Sequence, residues 1–387
     1  MGWPAGDLLS GPRGRRLCWA LLDAGHCRGW DRIWNGAMTG DLSGLTDEVA
    51  GCVAQTDLGS IAATAGDRPL LEALGESVAR AMYWQEPDQV DRALTNLAVR
   101  EALLPIARAV AVAPAAQWWP APVAADRQQY VEWLGWPDDP PALTGAGATL
   151  AAWRSATLED ERSAGGRPAD PSAPYTGNWW SAPLPSRLPA TTSAIPGIGP
   201  LGLVVVEDGL GWREARCHPV ALRDGGTARI YEVTGPDRWA ELVGRYPLDV
   251  SKSRRHDWWK VTGWTGAWVI PDFAAVAADY DAIHVSVLGY LVTAGRAFPV
   301  RGTAGGRAPV GRPPGGGALA ATEGGAGQVA AAGEAPAGDG PRTVLAGWDP
   351  GQTYWLTDIL TASGPPVRWA AREDEPLGWA PAADPGG

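Results

Sequence analysis

Arg229-Ile-Tyr-Glu-Val233, Thr234-Gly-Pro-Asp237 and Ala282-Ile-His-Val-Ser-Val287 are the passages of the stretch Thr227 to Val300 whose reading decides the fold. The first is a short run of β-formers. The second is a capping-box pattern with proline in the first helical turn, so it predicts a helix whose inner face is Trp239, Leu242 and Val243 and whose end is Gly244. In the third, side chains alternate: Ile283, Val285 and Val287 should point to one side of a strand, and His284 and Ser286 to the other. Polar side chains on a central strand need partners or a cavity. Between these passages the sequence predicts a polar loop at Ser253-Arg-Arg-His-Asp-Trp-Trp259. It also predicts a hairpin at Thr265-Gly266 flanked by Trp264 and Trp268, and a short helix capped by Asp272, with Val276 and Tyr280 inward.

Working outward, residues 1–14 read as a flexible lead-in and 15–136 as mainly helical. Leu17, Cys18, Leu21 and Leu22 form one apolar stripe and Leu70, Leu71, Leu74 and Val78 another. Asp88 opens a helix with Val90, Leu94, Leu97 and Ala98 on one face, and Pro105 should kink or end it. Residues 137–174 read as a linker with a short helix near Leu150–Arg162, and 175–369 as a second domain. There the glycine-punctuated run Ile195 to Val206 leads into a strand ending at a turn, Glu207-Asp208-Gly209, and strands are expected at Thr343–Trp348 and Thr353–Leu360. A glycine-, alanine- and proline-rich insertion at 301–341 and a tail at 370–387 have the composition of disorder. The predicted class is α+β: a helical N-terminal domain followed by a mixed β-sheet domain with short helices.

The 387 residues carry a net charge of -11, which argues against a generic nucleic-acid or anionic-membrane surface. No apolar run approaches the roughly 20 residues of a membrane helix. Cys18, Cys27, Cys52 and Cys217 have no CxxC spacing and read as reduced thiols of a cytoplasmic protein. The 22 tryptophans against two phenylalanines suggest that tryptophan supplies core bulk, with exposed ones available to a ligand or partner.

Tyr246-Pro-Leu-Asp249, Arg254-Arg-His-Asp-Trp258, Tyr280-Asp281 and Trp348-Asp-Pro350 resemble a pattern of uncharacterised, tryptophan-rich actinobacterial proteins, a resemblance that covers the second domain and implies no activity. The candidate chemistry lies in the same stretch. Arg254 and Arg255 can grip a phosphate or carboxylate, with Trp258 and Trp259 beside them. His256 and His284 can transfer protons near neutrality, with Asp257 and Ser286 to orient or polarise.

Other chemistries lack parts. His284-Val-Ser286 is half of a two-histidine phosphoesterase signature, and no second copy exists. ADP-ribosyl transfer needs a late glutamate, whereas Thr343 to Leu360 holds only Asp349 and Asp358 as acids. Cys217, His218, His256 and His284 lack zinc-site spacing, so no metal is assigned. Gly197-Ile-Gly199-Pro-Leu-Gly202 precedes an apolar run instead of following one, so no dinucleotide or other cofactor is assigned. Two readings stand: an intracellular enzyme or binding protein for a small anionic ligand of the phosphate- or carboxylate-bearing, nucleotide-like kind, or a non-catalytic protein that docks a partner through exposed tryptophans.

Overall fold

The structure, a computed structural model, describes residues 3–24, 27, 30–40, 44–64, 66–135, 143–184, 187–209, 211–300, 340–372, 374–375 and 377–382. The insertion expected at 301–341 lies outside them except for its last two residues, as do the linker prolines Pro137 to Pro141. Nine helices precede the first strand among the described residues: α1 Ala5–Leu8, α2 Pro12–Ala24, α3 Trp30–Thr39, α4 Leu45–Gln55, α5 Leu58–Ala63, α6 Arg68–Ala79, α7 Gln89–Ala93, α8 Leu97–Ala102 and α9 Leu104–Val112. The predicted stripes on α2 and α6 are buried. The single helix expected from Asp88 is three. Asp88 caps α7 through Asp91 N, Asn96 caps α8, and Pro105 stands in the first turn of α9, where its missing N–H costs nothing. Leu97, expected inside, is 63% exposed. The lead-in is packed, with Leu8 and Leu9 buried.

The remaining elements run β1 Gln128–Trp133, α10 Ala146–Ser163, β2 Ala190–Ile195, β3 Gly199–Pro200, β4 Glu214–Leu222, β5 Ile230–Val233, α11 Pro236–Arg245, β6 Pro247–Asp249 and α12 Arg255–Thr262. After these come β7 Val269–Pro271, α13 Phe273–Val276, β8 Ala282–Val285, α14 Val287–Thr293, β9 Phe298–Pro299, β10 Arg342–Thr343, β11 Gln352–Trp355, β12 Leu360–Ala362, β13 Val367–Ala371 and β14 Trp379–Pro381. The main sheet has the order β14-β13-β4-β1-β2-β11-β8-β5, with β12 also on β4 and β3 on β2. Only β5 and β8 are parallel; the other pairs are antiparallel. The α+β class is what the sequence predicts.

Several local expectations change. β1, read as part of the helical region, lies in the middle of the sheet between β4 and β2. The run from Leu201 makes a 3₁₀ turn, not a strand. Trp264 and Trp268 bracket no hairpin, because β7 pairs with β6 instead. α11 continues through Gly244 to Arg245. Residues 344–348 are not a strand, and β14, paired with the end of β13, lies in the region expected to be an unstructured tail. Cys27 and Cys52 form a disulfide, with Cα atoms 5.2 Å apart, so two of the four cysteines are not free thiols.

Tryptophan fills the core as expected. Trp19, Trp119, Trp239, Trp258, Trp268, Trp348 and Trp355 are among the largest fully buried side chains, and among the described residues Trp34 alone is exposed. None of the described helices is long and apolar enough to cross a membrane.

Candidate functional site

The residues Arg254 to Trp259 do not meet at a site. They enter and form α12, ended by Gly263 in the left-handed conformation at φ 70°. Consecutive positions on a helix are about 100° apart, so Arg254, Arg255, His256 and Asp257 point in different directions. Arg254 is buried, donating to Asp160 Oδ2 at 3.3 Å, Ser253 Oγ at 3.1 Å and Trp180 O at 3.1 Å. Burial pushes its guanidinium down to about 10 against the pull of Asp160. Arg255 donates to the carbonyls of Lys252 and Ala164. Asp257 accepts from Thr176 Oγ1, Gly177 N and Lys260 Nζ at 2.8–3.0 Å. His256 is buried against Tyr175, its Nδ1 3.2 Å from Pro171 O and its Nε2 without a partner. Trp258 is in the core, and Trp259 is half-buried. These groups fasten the segment 160–180 onto α12.

His284 has a different setting. β8 is buried along its whole length, and its parallel pairing with β5 sets Glu232 opposite His284, so both side chains emerge on one face. His284 Nδ1 lies 2.6 Å from Glu232 Oε2, and Glu232 Oε1 accepts from Val123 N at 3.1 Å. An ionised carboxylate only accepts, so it fixes the proton on Nδ1. No hydrogen bond joins Nε2 to the described residues. Ser286 is not a second polar residue of the strand: its Oγ accepts from Gly289 N at 3.0 Å and caps α14. Glycine is required at 289, because a Cβ there would stand 2.3 Å from Val233 O.

The His284 ring lines a partly enclosed cavity of about 220 Å³, together with Asp67, Trp118, Trp119, Arg127 and Ser193. Pro120 and Pro122 keep the segment after α9 irregular, and it crosses this face of the sheet, pinned where Leu288 N donates to Trp119 O at 3.0 Å. Gly351, at φ 72°, turns the chain at the cavity floor between Leu201 and Val287. Trp118 Nε1 donates to Asp67 Oδ1 at 3.1 Å. Ser193 is not a nucleophile for His284. Its hydroxyl accepts from Gln128 Nε2 at 2.9 Å, and β11 separates its strand from β8, a span of roughly 10 Å at the usual strand spacing. Thr353, in register beside His284, has a buried hydroxyl without a partner.

His284 lines this cavity, and His256 is not among its lining residues. Glu232, Trp118, Trp119 and Arg127 are what sequence reasoning missed. The alternation of β5 places Glu232 away from Tyr231 and Val233, a signal that the sequence does carry. Its pairing with His284 needs the strand order. Among the described residues no three His, Cys, Asp or Glu side chains converge as metal ligands. The chain matches no protein family, no curated protein and no solved structure.

Proposed function

We propose that the protein binds a small anionic organic molecule in the His284 cavity and exchanges a proton with it. One observation carries this reading: a histidine whose Nδ1 is held by a carboxylate lines a cavity of small-molecule size. With the proton fixed on Nδ1, Nε2 is the nitrogen that takes or gives a proton at the ligand. Trp118 and Trp119 supply apolar walls. Arg127 supplies a cation whose nearest ion partner, Asp126, is 3.9 Å away. The volume falls below the roughly 300–1,000 Å³ of drug-sized sites, which favours a small carboxylate or phosphosugar over a nucleotide.

Melting curves of the wild type, His284→Ala and Glu232→Gln, taken against a panel of small carboxylates and phosphosugars, test this. A bound ligand at a hundredfold excess over Kd adds about 2.7 kcal/mol of stability. His284→Ala should weaken binding at least tenfold, about 1.4 kcal/mol, and Glu232→Gln less. A ligand that stabilises all three proteins equally would place its site elsewhere.

One observation favours partner docking instead: Trp34 and Met38, 42% and 43% exposed and one turn apart on α3, line an open groove of about 580 Å³. The two-domain division and kinship with tryptophan-rich actinobacterial proteins stay with our reading as inferences, and neither adds an activity. The cytoplasmic location rests on reduced cysteines, and the Cys27–Cys52 bond argues the other way, since such bonds persist chiefly in oxidising compartments.

A further inference from the structure

The helical side of the molecule holds a cluster of cations that shares no residue with the His284 cavity. Arg15 of α2 and Arg296, just beyond α14, meet on one residue. Arg15 Nη1 donates to Ser10 O at 3.1 Å and Leu9 O at 3.3 Å, while Arg296 Nη1 donates to Ser10 Oγ at 3.1 Å and Val292 O at 2.8 Å. The charge of Arg100 of α8 acts on both arginines. Burial, and then the charge of Arg100, pushes Arg15 down to about 10, and the same two causes lower Arg296.

The charge of Asp91 reaches Arg15, but that acid is held by other arginines. The nearest acids are taken: Asp91 by Arg13 and Arg16, Asp88 by Arg16. Among the described residues, no carboxylate is ion-paired to Arg15, Arg100 or Arg296. Arg15 is only 8% exposed, yet its Nε has no partner, and the Nε of Arg100 is likewise buried and unpartnered. Buried cations without partners are costly, and unused guanidinium N–H groups are donors suited to an oxyanion.

We propose that Arg15, Arg100 and Arg296 form, with Ser10, a binding site for a phosphate group, either free or on a small phosphomonoester. Phosphate is favoured over a carboxylate because it carries up to two negative charges and a tetrahedral array of oxygens that can accept from guanidiniums of separate segments. The site stands whether or not the His284 cavity binds a ligand.

The test is calorimetric titration and melting of the full chain with inorganic phosphate, against chloride at matched ionic strength. Arg100→Gln, Arg296→Gln and the exposed control Arg108→Gln are compared with the wild type. Phosphate should bind the wild type and Arg108→Gln alike, and at least tenfold more weakly in the other two variants. Without phosphate, Arg100→Gln should melt no lower than the wild type, because it relieves repulsion; a variant that merely lost a structural contact would melt lower. Glycerol phosphate binding more tightly than inorganic phosphate would assign the site to an ester, and the reverse order to the free ion. No phosphate effect beyond that of chloride, or equal binding by every variant, overturns the proposal.

Discussion

Trp258→Ala should destabilise the protein by about 4 kcal/mol without acting through any ligand. Trp258 is fully buried, crosses Trp268 edge-on with centroids 5.1 Å apart and an interplanar angle of 80°, and donates from Nε1 to Trp179 O at 2.8 Å. Truncation to alanine opens a cavity the size of an indole, and core substitutions of this kind cost about 3–5 kcal/mol. It also strips a buried carbonyl of its donor. Trp258→Phe retains much of the bulk and loses the hydrogen bond, so about 1–2 kcal/mol is expected. Denaturant unfolding followed by circular dichroism measures both. An unchanged midpoint in Trp258→Ala would contradict a core role and return this tryptophan to the exposed ligand-binding position that its neighbour Arg255 suggests.

The second large effect is on pH. Glu207 and Asp349 form a buried acidic pair: Glu207 N donates to Asp349 Oδ1 at 2.8 Å, and Gly347 N donates to Glu207 Oε2 at 2.6 Å. Glu207 Oε1 is buried without a partner, near Tyr290 and within reach of the charge of Arg13. Burial, joined by the charge of Asp349, holds Glu207 well above the usual carboxylate range. Burial pushes Asp349 up to about 7, with the Glu207 N–H pulling the other way. A carboxyl raised in the folded state stabilises below its unfolded value and loses that stability as pH rises through its folded value. Asp349 should therefore cost roughly 2 kcal/mol of stability between pH 5 and 8, some screening by water included, and Glu207 adds to the fall.

Depressed acids such as Asp88, Asp281 and Asp358 act in the opposite sense. Their stabilisation is lost only as pH falls below about 4, where they regain protons, so they leave this window flat. Asp349→Asn should remove the aspartate's share of the decline and leave that of Glu207. It also disturbs the bond from Gln352 Nε2, a constant offset of about 1 kcal/mol that leaves the slope readable. Urea unfolding at each pH separates the two, and a slope unchanged in Asp349→Asn would show that the aspartate does not titrate in this range.

How much of this was legible depended on how local the signal was. The apolar stripes of α2 and α6, the strands β5 and β8, the inward face of α11 and the Asp88 and Asp272 caps all rest on neighbours within one or two turns, and all are present. Arg254 to Trp259 misled because a polar run beside aromatic residues looks the same whether it is a loop that gathers its side chains or a helix that spreads them. Ser286 misled by one residue, since a strand position and a helix cap differ only in where the chain turns.

The sequence by itself determined the α+β class, the tryptophan-filled core and His284 as a polar residue on a buried strand. Burial and periodicity are properties of each segment alone, so they can be read from it. Only the tertiary structure decided that His284 meets Glu232 52 positions earlier, that Trp118 and Trp119 line its cavity, and that Arg15 of α2 and Arg296 just past α14 meet on Ser10. These depend on strand order and helix packing, which are set by how faces fit each other across the fold and leave no periodic mark on any one stretch of chain.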